Sequence, residues 1–183
     1  MCSSDLEIGD QDDKRRRFDN LEGTKGDKTF DQLEQFQNIG AFIQQEWILN
    51  KSFRATFGIR SDINKLKATD RYLNDGDGTG KQTLNNVNPL IGFVYSIRKN
   101  INLYGNYSTH FETPTLNEVS NNPDPSSSGG FNPGLNPQYA KNVELGLKGF
   151  FNENLFIEMA AFNIDALDEI IPFELPNIPG RTF

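Results

Sequence analysis

Residues 101–118 read INLYGNYSTHFETPTLNE, a run in which Ile101, Leu103, Tyr107 and Phe111 alternate with Asn102, Asn106, Ser108 and His110 before Pro114 interrupts it. A period of two puts the apolar set on one face of a β-strand and the polar set on the other. Pro114 has no ladder donor and pushes Thr113 toward an extended shape, so the strand is expected to end there and a long polar loop to begin.

The same signature recurs in pairs along the chain. In NIGAFIQQEWIL, Ile39, Ala41, Ile43, Trp47 and Leu49 share a face opposite Asn38, Gln44 and Glu46. After the short NKS connection, Phe53, Ala55, Phe57 and Ile59 alternate with Arg54, Thr56, Arg60 and Asp62. A polar, glycine-rich gap over 63–86 follows, then Ile91, Phe93, Tyr95 and Ile97, the tight turn RKN, and the strand 101–111. A second gap spans 112–140. Beyond it, Val143, Leu145 and Leu147 oppose Asn142, Glu144 and Lys148, and a FNEN turn leads to LFIEMAAFNID, whose two faces are both apolar and whose facing stays open.

The order is strand, tight turn, strand, long loop, repeated to give about six strands. Loops beyond about 15 residues are uncommon in compact domains. Outer-membrane β-barrels have them, with strands of about 10 residues, short periplasmic turns and long extracellular loops. A soluble β-sandwich also alternates and stays open as the alternative. Long connections after every second strand all project from one end, which favours the barrel. On that reading the apolar face meets lipid and the polar face a wet lumen, and Trp47 belongs to the aromatic girdle at the lipid boundary.

Composition narrows the function. Of 183 residues 36% are hydrophobic, with 15 Phe, 16 Gly and 9 Pro, a bias toward strands and turns. A net charge of −7 disfavours a nucleic-acid partner, and the basic run Lys14–Arg17 sits between DQDD and Asp19, so it reads as a solvated loop. No apolar run approaches the roughly 18 residues of a membrane helix, which leaves barrels untouched. Cys2 is the single cysteine and has no internal partner. Residues 1–6, MCSSDL, resemble the translated end of a sequencing-library adapter and are expected to be non-native, with the gene beginning upstream. Residues 7–35 are expected to be an extracellular loop segment and 36–183 the barrel portion.

Three motifs in order carry a family resemblance. Phe111, Pro114, Thr115 and Glu118 fit Phe-x-x-Pro-Thr-x-x-Glu; Asn132, Pro133, Leu135 and Pro137 fit Asn-Pro-x-Leu-x-Pro; Glu144, Gly146 and Lys148 fit Glu-x-Gly-x-Lys. Gln138 stands where the family usually has Glu. Over residues 36–183 the chain resembles the C-terminal barrel half of TonB-dependent outer-membrane receptors. The resemblance implies an antiparallel barrel of about 22 strands with a plugged lumen, of which this chain would hold about six strands and no plug. It also implies energy-coupled import of a scarce large solute, most often a ferric siderophore or other iron complex, with the TonB complex acting through the plug. No enzyme activity and no cofactor follow from it. A passive porin-like or adhesive barrel is the first alternative, a soluble binding sandwich the second.

Candidate site residues come next. His110, the one histidine, lies on the lumen parity just before the loop and reads first as a hydrogen-bonding lumen residue, then as a ligand contact. Glu112, Phe131 and Tyr139 join it as candidate ligand contacts, and Phe173 is a further amphipathic loop aromatic. The family-motif residues read as structural. DGDGTG at 75–80 has oxygen ligands at alternate positions, but Asn86 stands where a calcium loop needs Glu, so an ordinary glycine-rich loop is expected and no metal site. Asp165, Asp168 and Glu169 read as solvated loop ends, since no nucleophile constellation accompanies them.

Overall fold

The computed structural model describes residues 2–120, 130–132, 134–176 and 178–182. Seven strands form one sheet in chain order: β1 (Cys2–Leu21), β2 (Thr24–Ile48), β3 (Phe53–Asp70), β4 (Gly80–Arg98), β5 (Ile101–Glu112), β6 (Gln138–Asn152) and β7 (Leu155–Leu167). Every neighbour is antiparallel. One helical turn, α1 (Leu116–Val119), lies in the β5–β6 connection, and a small hairpin, β8 (Glu174–Leu175) with β9 (Ile178–Thr182), closes the chain.

Apart from the two-residue turn between β1 and β2, which lies at the long-connection end, short and long connections sort to opposite ends as expected. Residues 49–52, 99–100 and 153–154 turn at one end, while 71–79 and 113–137 cross at the other. Asn50 fixes the first short turn by accepting the Ser52 and Phe53 amides at 2.8 and 3.0 Å.

Two expectations about loops are corrected. The gap over 63–86 is mostly strand, because β3 runs on to Asp70 and β4 starts at Gly80. Residues 7–35, expected as loop, lie in β1, a two-residue turn and β2, which adds a seventh strand. The turn is Glu22–Gly23, both at positive φ (52° and 89°), a geometry that matches the twist of a tight hairpin. The run Lys14–Arg17 is therefore strand: Arg15 meets Glu34 at 2.7 Å, Arg16 meets Asp31 at 3.5 Å, and Arg17 lies over the Phe30 ring. Its acids come from β2 across the ladder, not from the DQDD beside it.

The two faces of the sheet invert a soluble core. On the outer face Ile43, Ile59, Ile91 and Val143 are 51%, 49%, 49% and 51% exposed, while on the inner face Asp62, Asn64, Asn86 and Ser108 are at 8% or less. A sandwich would bury the first set and wet the second, so the sandwich alternative falls. Two of these buried polar groups are satisfied by side chains: Asn38 donates to Asn64 at 2.7 Å, and Arg60 grips Asp62 through Nε and Nη2 while reaching Glu7 at 3.0 Å, whereas Asn86 Nδ2 is left without a partner among the described residues. Facing of β7, left open by sequence, is set by register: Ile157, Met159 and Ala161 pair with Gly149, Leu147 and Leu145 on the outer face.

On β3 the outer face is apolar from Phe53 through Ala55, Phe57 and Ile59 to Ile63, with Ser61 the one polar break. That is about ten residue steps, or about 33 Å of strand. At a tilt of about 40° it covers about 25 Å along the membrane normal, the height of the apolar band of an outer-membrane barrel. The rest of β3, and more of β1 and β2, stands above that band.

β4 and β5 part company near the rim. Their pairing stops at Leu90–Ser108, although β4 continues to Gly80 and β5 to Glu112. Pro89, which has no amide to donate, sits directly above the last pair. The β5–β6 connection folds inward over this split: Gly130 donates to the Thr79 carbonyl at 3.1 Å and Gln82 Nε2 to the Leu135 carbonyl at 3.2 Å. Leu66, Leu84 and Val119 form the buried centre of the contact, with Phe36, Phe111, Leu116, Phe131 and Leu135 around them.

Candidate ligand-binding site

The motif after β5 builds the inward loop. β5 ends at Glu112, two residues before Pro114, which is fully buried. Thr115 then caps α1: its hydroxyl accepts the Glu118 amide at 3.4 Å, and the Glu118 carboxylate accepts the Thr115 amide at 2.7 Å. This reciprocal capping box satisfies two amides that would otherwise be orphaned. The helical turn drops Val119 into the cluster and presents Asn117 outward, where Arg15 donates to it while holding Glu34. Asn132 continues the loop: its amide donates to the Val119 carbonyl at 2.6 Å and its side chain accepts the Gly134 amide at 3.0 Å. Leu135 packs on the cluster and Pro137 is buried at the start of β6, whereas Pro133 lies outside the described residues.

The Glu-x-Gly-x-Lys motif surrounds one ring. Tyr104 on β5 donates its hydroxyl to Glu144 at 3.1 Å, and Lys148 Nζ lies 5.4 Å from the ring centre. Gly146 lies under the ring itself, where a Cβ would overlap it. Residues two apart share a strand face, so the spacing places acceptor, gap and cation in line on the inner wall. Asn106 adds a bond to Glu144 at 3.3 Å.

The candidate ligand contacts do not converge. His110 lies on the inner parity, its Nε2 3.4 Å from Ser108 Oγ, beside a cavity of about 250 Å³ that Arg60, Asn88 and Phe42 also line. Glu112 is exposed at the rim, opposite Gln138. Phe131 is half-buried within the loop cluster, its ring filling the space beside Gly80. Tyr139 meets Phe111 with ring centres 5.6 Å apart and planes tilted by 56°, directly opposite it in the register of β5 and β6.

A larger cavity lies elsewhere, about 630 Å³ between the inward loop and the residues after β7. Asn117, Asn132 and Asn136 line one side, and Asp168, Glu169 and Phe173 the other. A second cavity of about 360 Å³ under α1 is lined by Glu34, Phe36 and Pro114. A volume of this size suits a small organic chelate, and a few amides and carboxylates among apolar walls are the usual means of orienting one. Sequence reading named Phe173, Asp168 and Glu169 without joining them to the loop asparagines, because only the tertiary fold brings the two connections together. Asp168 adopts positive φ (55°), which turns the chain off β7 toward the loop. In the DGDGTG segment Asp77 accepts the Thr79 amide at 2.9 Å, and Asp70, at the end of β3, accepts the Tyr72 and Gly78 amides, both at 2.8 Å. Among the described residues no group of three or more His, Cys, Asp or Glu converges.

Comparison with known proteins agrees with this architecture. The family model for the TonB dependent receptor-like β-barrel matches residues 4–182. The iron-regulated outer membrane virulence proteins of two Vibrio cholerae serotype O1 strains are each 30% identical over 158 residues, covering 82% of this chain. The chain spans 22% of their length. Among solved structures, the copper transporter OprC aligns over 88% of the chain and 27% of its own, with a TM-score of 0.66 and 14% identity. The alcaligin outer-membrane receptor FauA of Bordetella pertussis aligns over 99% of the chain and 33% of its own, with a TM-score of 0.55 and 19% identity. With its lipid-facing apolar belt, polar inner wall and inward loop at the long-connection end, the chain belongs to the β-barrel family of TonB-dependent outer-membrane receptors.

Proposed function

We propose that this chain is part of a receptor that imports a scarce iron complex, with a ferric siderophore as the favoured cargo. The observation that carries the reading is the cavity of about 630 Å³ at the extracellular end, walled by asparagines, carboxylates and Phe173. Such a site recognises a solute too large for passive diffusion by amide hydrogen bonds and by stacking on an aromatic ring. The iron-regulated relatives in Vibrio cholerae and the alcaligin receptor FauA support iron chelates as the cargo class. Binding alone cannot drive uphill import, since a ligand shifts an equilibrium only by its differential affinity. Release therefore needs an external energy source, which in this reading is the TonB complex pulling on a plug domain outside this chain.

The test is uptake of radiolabelled iron by cells that lack their own receptors and express the full-length receptor carrying this segment. Uptake of one or more ferric siderophores that stops when TonB is deleted is expected. Uptake that persists without TonB would favour the passive, porin-like reading. Asn117→Ala combined with Phe173→Ala is expected to lower affinity at least about tenfold, on the usual scale of lost polar and aromatic anchors.

A further inference from the structure

The outer face changes character sharply above Ile63. Ile63 aligns with Ile39 and, beyond it, Ile8. The next outward row holds Gln37, Lys65 and Thr83, and the row above it Gln35, Lys67 and Lys81. All three lysines are exposed, and none forms an ion pair among the described residues. Lys67 and Lys81 are directly opposite cross-strand partners, a like-charge placement that destabilises a sheet unless an anion lies between them.

Among the described residues no acid supplies that anion. Asp10 and Asp12 lie on the same rows but on β1, with β2 between them and the lysines. Two strand spacings separate them from Lys65 and Lys67 by about 10 Å. Asp12 is moreover engaged by Gln35 at 3.0 Å.

Height identifies the source of the anion. Lys65 and Lys67 lie about 5 and 10 Å above Ile63 along the membrane normal, given the strand rise and a tilt of about 40°. The polar zone of a leaflet extends about 5–7 Å beyond its hydrocarbon, so Lys65 lies within it, while Lys67 and Lys81, about 3–5 Å above it, reach it by the length of their flexible side chains. Directly below, Ile39, Ile59, Ile63 and Val87 offer an apolar wall continuous with the lysine rows.

We propose that Lys65, Lys67 and Lys81 form a docking site for the phosphates of a phosphorylated glycolipid of the outer leaflet, whose acyl chains lie along the isoleucine wall beneath. The site uses the outer surface of the barrel and is separate from the solute path. It depends on the membrane placement of the sheet, not on the identity of the cargo.

The test uses the full-length receptor, delipidated in detergent and mixed with bis-phosphorylated lipid A or with the same lipid after enzymatic removal of both phosphates. Retained lipid is counted by native mass spectrometry. The wild type is expected to retain the phosphorylated form selectively, and the Lys65→Gln, Lys67→Gln, Lys81→Gln triple variant to bind it about a hundredfold more weakly, at roughly fivefold per lysine. The triple Lys→Arg variant is expected to retain binding. Equal retention of the two lipids by the wild type, or equal binding by wild type and triple Gln variant, would overturn the proposal. So would displacement of the lipid by millimolar inorganic phosphate. If the triple variant does not fold, Lys67→Gln alone serves, with about a fivefold loss expected; no loss, or wild-type affinity unmoved by raised salt, overturns the site.

Discussion

At the scale of single residues, the motifs earn their places by hydrogen bonding. Thr115→Ala removes the cap of α1 and is expected to cost the loop about 1 kcal/mol; limited proteolysis between Glu112 and Gln138 should then accelerate while the strands stay protected. Asp31 carries a pH consequence. The Lys28 ammonium, donating at 2.8 Å, holds its carboxyl below the ordinary carboxylate value, and Arg16 adds to the effect. A lowered folded value means the contribution is complete above about pH 4 and is lost as pH falls through that folded value. Hairpin protection measured by hydrogen exchange should therefore be flat from neutrality down to about pH 4 and fall only in stronger acid. Much of this was legible in sequence, since Pro114 marked the strand end and Glu144, Gly146 and Lys148 marked a strand face. The capping box Thr-x-x-Glu was also written there, yet its role shows only once Val119 has a cluster to enter. The facing of Tyr139 was not legible, because parity at a strand start depends on register with Phe111, which sequence does not give.

At the scale of elements, the two faces of the sheet make opposite demands. Ile59→Lys places a charge in the lipid belt and is expected to cost about 2–4 kcal/mol, visible as a smaller folded fraction by heat-modifiable gel mobility. Gln44→Lys, on the inner parity opposite Gly58, should leave that fraction nearly unchanged. Leu66→Ala, at the centre of the loop contact, is expected to cost about 2–5 kcal/mol and to free the loop. The alternating strands were readable because one face had to meet lipid. β1 was not, since above the membrane both faces of a hairpin are wet and Asp10–Arg17 shows no apolar period. Its turn was equally hidden: Glu22 takes a positive φ that Asn or Gly would have advertised.

At the scale of the whole molecule, β1 and β7 each leave one strand edge unpaired among the described residues. With an apolar outer face as well, the 183-residue chain by itself is expected to precipitate without detergent, and a soluble monomer by sedimentation would contradict the membrane placement. The architecture was legible because long and short connections alternate. The tertiary cavity was not, since its two walls come from separate connections. The parting of β4 from β5 has a mechanical meaning. Below Leu90 the wall is stitched by a continuous backbone ladder, while above it the seam rests on Thr109 bonding Asn88 and on a borrowed loop. Stress on the rim concentrates at the end of that ladder, as at the tip of a notch. Heat or tension should therefore tear the wall downward from Leu90–Ser108 before any other strand pair gives way.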